Sequence, residues 1–136
     1  MKRWPQKIPA VQIRWARPTN NLREIIRFYK DGLGLPEIGS SQEHEGYTSI
    51  MLGMPGFDYH LEFTEHVERR PLPPSPREEI LVFYIPDTIR YQELIERMAK
   101  LGYEPVTPEN PKWLENATMY QDPESRRVVL SNTSGI

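Results

Sequence analysis

Cysteine is absent from the 136 residues. That excludes disulfides, thiolate nucleophiles, cysteine-bound zinc and iron–sulfur ligation, and it points to a cytoplasmic setting. No apolar run approaches the roughly 20 residues a membrane helix needs. The opening Met1-Lys2-Arg3-Trp4-Pro5-Gln6 is polar, unlike a secretory leader. An excess of positive charge is also missing: 17 Lys and Arg face 19 Asp and Glu, a net charge of −2. Neither a nucleic-acid partner, whose binding rests on surplus Lys and Arg, nor a membrane partner is expected. Apolar residues at 38% and charged residues at 26% are enough for the packed core of one small domain.

Proline is abundant, at 14 residues, when about 5% of a chain is usual. Several gather in Arg70-Pro71-Leu72-Pro73-Pro74-Ser75-Pro76. Proline lacks a backbone donor and holds its predecessor extended, so residues 71–76 read as a stiff connector between modules 8–70 and 77–136. The two modules form a single domain and resemble each other in pattern. Gly34 and Gly102 each end a helix-like run, and the shift of 68 (102 less 34) also lays Pro18 on Pro86, Leu33 on Leu101 and Pro55 on Pro123.

In the first module, Val11–Ala16 alternates as a strand does, with Val11, Ile13 and Trp15 on one face. Asn21 with Glu24 has the form of a capping box, and Leu22, Ile25, Ile26, Tyr29 and Leu33 follow helical spacing. Strands are expected near 37–39, 47–52 and 59–65, with a turn at Met54-Pro55-Gly56. In the second module a strand at 80–85 precedes a helix that starts at Asp87 or Thr88. Its buried stripe is Ile89, Leu94, Ile95, Met98 and Leu101. Strands at 103–106, 117–120 and 127–131 follow. The fold class is α+β, a βαβββ pattern used twice.

Hydrophobic alternation assigns the faces. Val11, Ile13, Trp15, Leu61 and Phe63 belong under the first helix, leaving Gln12, Arg14, Ala16, His60, Glu62 and Thr64 opposite. Leu81, Phe83, Ile85, Val128 and Leu130 belong under the second. The opposite face then holds Ile80, Val82, Tyr84 and Val129, with Arg127 at its edge. A polar group (Gln12, Arg14, His60, Glu62) beside an apolar wall has the make-up of a small-molecule site, although a solvated sheet face has the same pattern. Trp113, Tyr84 and Tyr120 offer flat surfaces for a ring, and 110–116 has the composition of a loop over a cavity mouth.

The run Ile25-Ile26-Arg27-Phe28-Tyr29-Lys30-Asp31-Gly32-Leu33-Gly34-Leu35 carries a family resemblance. Tyr59-His60-Leu61-Glu62-Phe63, Ile85-Pro86-Asp87, Lys100-Leu101-Gly102-Tyr103 and Asp122-Pro123 carry it along nearly the whole chain. Through them the chain resembles the vicinal oxygen chelate superfamily of glyoxalase, bleomycin-resistance and extradiol-dioxygenase proteins. The resemblance implies two βαβββ modules forming a cup-shaped mixed sheet with helices on its outer face, often completed across a homodimer. It also implies a divalent metal held by four side chains, one from the first and one from the last strand of each module. Carried over by position, these are Gln12 and Glu62, then Ile80 and Val129, and the last two cannot ligate a metal. Ser125 stands where the family's late turn has glycine.

The expectation is therefore a protein without a cofactor that binds or sequesters a small anionic-amphipathic molecule. The alternative is a metal-dependent lyase or transferase of glyoxalase or fosfomycin-resistance type, with Gln12, His60 and Glu62 as an improvised metal triad. His60 and Glu62 read first as a hydrogen-bonded cavity pair, and second as the candidates for acid–base work. Arg14 either meets a ligand oxyanion or pairs with Glu62. His44 and His66 read as residues of solvated, charged loops.

Overall fold

A computed structural model describes residues 6–136; the polar opening read as lacking a leader falls, for residues 1–5, outside them. The chain divides into two compact units. The first runs to Lys30 and resumes over Gly34–Leu72; the second comprises Asp31–Leu33 and Pro73–Ile136.

In the first unit, β1 (Ile13–Pro18) leads into α1 (Leu22–Ile26), which widens into a π-helical segment, Arg27–Gly32. Strands β2 (Glu37–His44), β3 (Tyr47–Gly53) and β4 (Tyr59–His66) follow. The sheet order is β1-β4-β3-β2, with β1 parallel to β4 and the other pairs antiparallel. This is one βαβββ module. Its core lies between the helix and the sheet: Ile25, Phe28, Tyr29, Ile50, Leu52 and Phe63 are all buried, and the Tyr29 and Phe63 rings lie 4.7 Å apart.

The expected first strand, 11–16, begins two residues later, so Gln12 precedes it. The face assignment holds in parity but not in burial. Ile13 and Trp15 share the helix-side face, yet they are 43% and 59% exposed, and Val11 lies outside the strand and is exposed as well. The helix covers the other end of β1, where Arg17 fills the buried position. Its guanidinium stacks 4.9 Å from the Phe63 ring and donates to the Tyr29 hydroxyl at 3.3 Å. A cation on aromatic faces satisfies the site that the apolar alternation had given to hydrophobes.

The helix start is also built differently from the expected capping box. Asn21 makes no side-chain cap. Instead Glu65, reaching across from β4, accepts from the Leu22 N–H at 2.9 Å, and the Thr19 hydroxyl accepts from the Asn21 N–H at 2.9 Å. Sequence spacing cannot find a cap supplied from 43 residues away.

The second unit repeats the plan. β5 (Ile80–Tyr84) pairs parallel with β7 (Arg127–Ser131), and β6 (Ala117–Gln121) pairs antiparallel with it, in the order β5-β7-β6. The expected strand at 103–106 is reduced to a single bridge, Val106 to Met119, in the place that β2 holds in the first sheet. Asp87 caps α2 (Thr88–Lys100), accepting from the N–H groups of Ile89 and Arg90 at 3.0 and 3.1 Å. Leu94 and Met98 are buried; Ile89, expected in that stripe, sits in the first turn and is exposed. Gly34 and Gly102 both take left-handed φ, +86° and +91°, as their places beyond the two helices require.

Ser125 departs from the family's glycine at a cost the geometry explains. It holds φ +66° in the turn before β7, where Asp122 accepts from the N–H groups of Glu124 and Arg126 at 2.8 and 3.1 Å. Those bonds hold a side-chain-bearing residue in a conformation that glycine adopts without strain.

The imported cap gives a test. Glu65→Ala should cost about 1 kcal/mol of stability in urea unfolding, the usual loss for an N-cap, whereas Asn21→Ala should leave the midpoint almost unchanged. The reverse ranking would restore the local capping box.

Candidate functional site

In a parallel pair, residues aligned across two strands share a face. The β1–β4 register puts Arg14 beside His60 and Ala16 beside Glu62, on the face away from the helix. The Arg14 Nε–H donates to His60 Nε2 at 2.8 Å, and its Nη1 reaches Glu62 Oε1 at 3.4 Å. A ring nitrogen that accepts from a guanidinium carries no proton, so the neutral imidazole keeps its hydrogen on Nδ1. That Nδ1 is buried without a hydrogen-bond partner, in a side chain only 6% exposed. Gly53 on β3 stands directly across from His60. A Cβ at Gly53 would come within 2.8 Å of the His60 Cβ, so glycine is what lets the imidazole sit this deep.

The ion pair that the sequence left as one of two readings of Arg14 is thus formed. It is half open to solvent: the Arg14 side chain is 44% exposed and that of Glu62 15%. The pair neutralises itself, and its two contacts use only part of the guanidinium's fork of donors.

The corresponding face of the second unit is apolar. The β5–β7 register aligns Ile80 with Arg127, Val82 with Val129 and Tyr84 with Ser131. Val129 and Met119 are fully covered, while Ile80, Val82 and Arg127 are half-buried and Tyr84 is exposed, its ring against Gly135. Among the described residues, the Arg127 guanidinium makes no ion pair or hydrogen bond, unlike its neighbour Arg126, which pairs with Glu79 at 3.4 Å. Trp113 lies on a 3-10 turn, Pro111–Leu114, with the Lys112 ammonium 4.6 Å from its ring.

His44 and His66 prove to be strand-end residues rather than loop residues, and neither joins the Arg14 cluster. His66 packs its ring on Tyr47 at 4.6 Å and accepts from the Glu68 N–H at 3.0 Å.

These donors do not suit a divalent ion. His60 Nε2 and Glu62 already face one guanidinium, Gln12 lies outside the strand, and Ile80 and Val129 have no donor atoms. Among the described residues, no three His, Asp or Glu side chains gather as a ligand set.

Comparison with known proteins agrees with this architecture. Residues 13–64 match the YycE-like N-terminal domain and residues 78–132 the YycE-like C-terminal domain. An uncharacterized protein, YycE of Bacillus subtilis, is 42% identical over 127 residues, 93% of this chain and 91% of that one. The crystal structure of a Bacillus subtilis YycE protein superposes with a TM-score of 0.91 at 41% identity, covering 99% of this chain and 98% of that chain. At lower identity the fold alone is shared. The fosfomycin resistance protein FosX of Mesorhizobium loti gives TM-score 0.63 at 15% identity, over 88% of each chain. TnmS3, an antibiotic binding protein from Streptomyces sp. CB03234, gives 0.64 at 18%, over 93% of this chain and 98% of that one.

Tyr120 sits elsewhere than expected. It aligns with Val128 on the helix-side face, 1% exposed, near the Tyr91 hydroxyl that bonds Thr118 at 2.6 Å, so its ring belongs to the core. Burial, and secondarily the Tyr91 phenol, push its pKa from 10.0 up to about 12. Between those values the unfolded chain ionises this phenol while the folded chain keeps its proton, so stability falls as pH rises through that window. In a phenolate absorbance titration, one of the seven tyrosines should ionise near pH 12, and Tyr120→Phe should remove that step. A wild-type curve with no late step would contradict the burial argument.

Proposed function

Because the chain belongs to the YycE-like family, on a fold of the vicinal oxygen chelate superfamily, we propose that it binds a small anionic-amphipathic molecule without help from a metal. One observation carries the reading: an Arg127 guanidinium unpaired among the described residues, at the margin of an apolar strip formed by Ile80 and Val82. A half-buried cation without a counter-ion is stabilised by an anion, and the apolar strip beside it gains by covering hydrocarbon. Arg14, in the first unit, is already neutralised by Glu62. Fosfomycin-resistance and antibiotic-binding proteins built on the same fold support a small-molecule ligand.

The reading places the protein in the cytoplasm as a homodimer. The exposed Ile13, Trp15 and Tyr59, on and beside the edge strand β1, support a second copy as their cover. No described helix is long and apolar enough to cross a membrane.

Anilinonaphthalene sulfonate, an anionic amphipathic dye, tests the reading. Its fluorescence should rise with the wild-type protein, and Arg127→Gln should weaken binding about tenfold, the scale of one charge-assisted hydrogen bond. Binding of an uncharged dye such as Nile red should stay unchanged. Equal sulfonate binding by both proteins would contradict the proposal.

A further inference from the structure

Arg14 is placed as a metal ion would be. Two side chains that could chelate a divalent cation, an imidazole with a bare nitrogen and a carboxylate, stand two residues apart on one face of β4. Both turn to the same point on the neighbouring strand. That point carries a guanidinium. We infer that Arg14 is the resident cation of this site: it occupies the place between His60 and Glu62, excludes divalent metals from it, and offers its remaining N–H donors to a ligand oxygen.

Three observations support this. The His60 contact, at 2.8 Å, uses the nitrogen that would otherwise ligate a metal, and it fixes the tautomer that leaves that nitrogen bare. Glu62, at 15% exposed, is sheltered enough for its pairing with a cation to be only partly screened by water. Gly53 makes room for His60 to sit close behind the guanidinium, so the cluster is built into the sheet and is more than a surface pair. The charge balance follows directly. A divalent ion beside Glu62 would leave the cluster positive, whereas Arg14 with Glu62 and a neutral His60 leaves it uncharged. The remaining N–H groups of Arg14 can then donate to a ligand's oxygen.

This inference shares with the proposed function only the premise that the far faces are where ligands bind. Its test uses no organic ligand, so the two fail separately. Cobalt(II) chloride is titrated into wild-type protein and Arg14→Ala, with binding read by isothermal titration calorimetry. Removing a unit charge about 3 Å from both donors should raise cobalt affinity at His60 about tenfold or more. His60→Gln in the Arg14→Ala background should abolish the gain, and Arg127→Ala should produce none. Arg14→Gln, which keeps the side chain's length and polarity, is read in the same way if the alanine variant does not fold. Cobalt binding to wild type as tight as to the Arg14 variants would overturn the inference. So would the absence of any gain in a variant whose circular dichroism is native.

Discussion

The contact between Arg14, His60 and Glu62 rests on one backbone fact, the parallel pairing of β1 with β4. Parallel neighbours project aligned side chains to the same side, so a guanidinium on one strand meets an imidazole and a carboxylate two residues apart on the other. The helix that makes this crossover must start close to the sheet, and Glu65 of β4 secures its first turn. Arg17, stacked between sheet and helix on the opposite face, fixes β1 from behind. The same strand pair therefore organises the near face as core and the far face as the Arg14–His60–Glu62 cluster.

The second unit uses the same arrangement for a different purpose. β5 and β7 are parallel as β1 and β4 are, and β4 and β7 begin at 59 and 127, the same 68 positions that separate the two helix-ending glycines. Where the first unit has a neutralised cluster, the second has aliphatic side chains and the Arg127 guanidinium, unpaired among the described residues. The two modules thus keep one backbone plan while their far-face residues differ in character.

Much of this was legible in the residues themselves. The glycine stops, the Asp87 cap, the Met54–Phe57 turn and the face parity of β1, β4, β5 and β7 follow from local patterns that the backbone obeys. Burial was harder to read, because alternation says which face a residue takes and not how far the helix reaches along it; Ile13 and Trp15 lie beyond its cover. Tyr120 looked like a cavity aromatic by type alone, yet its alignment with Val128 makes it core. The tight Glu45-Gly46 hairpin, with both residues at positive φ, went unseen because its first residue is not the usual Asn or Asp. The contacts of longest reach, Glu65 to Leu22 and Arg14 to His60, depend on strand register, which no single segment encodes.

The protonation of His60 is where the central claim meets measurement most directly. A long-range proton–nitrogen NMR correlation spectrum at neutral pH distinguishes the two ring nitrogens. The account predicts a neutral imidazole with its proton on Nδ1 and a bare Nε2 accepting from Arg14. A ring protonated on Nε2, alone or together with Nδ1, could not accept that bond and would contradict it.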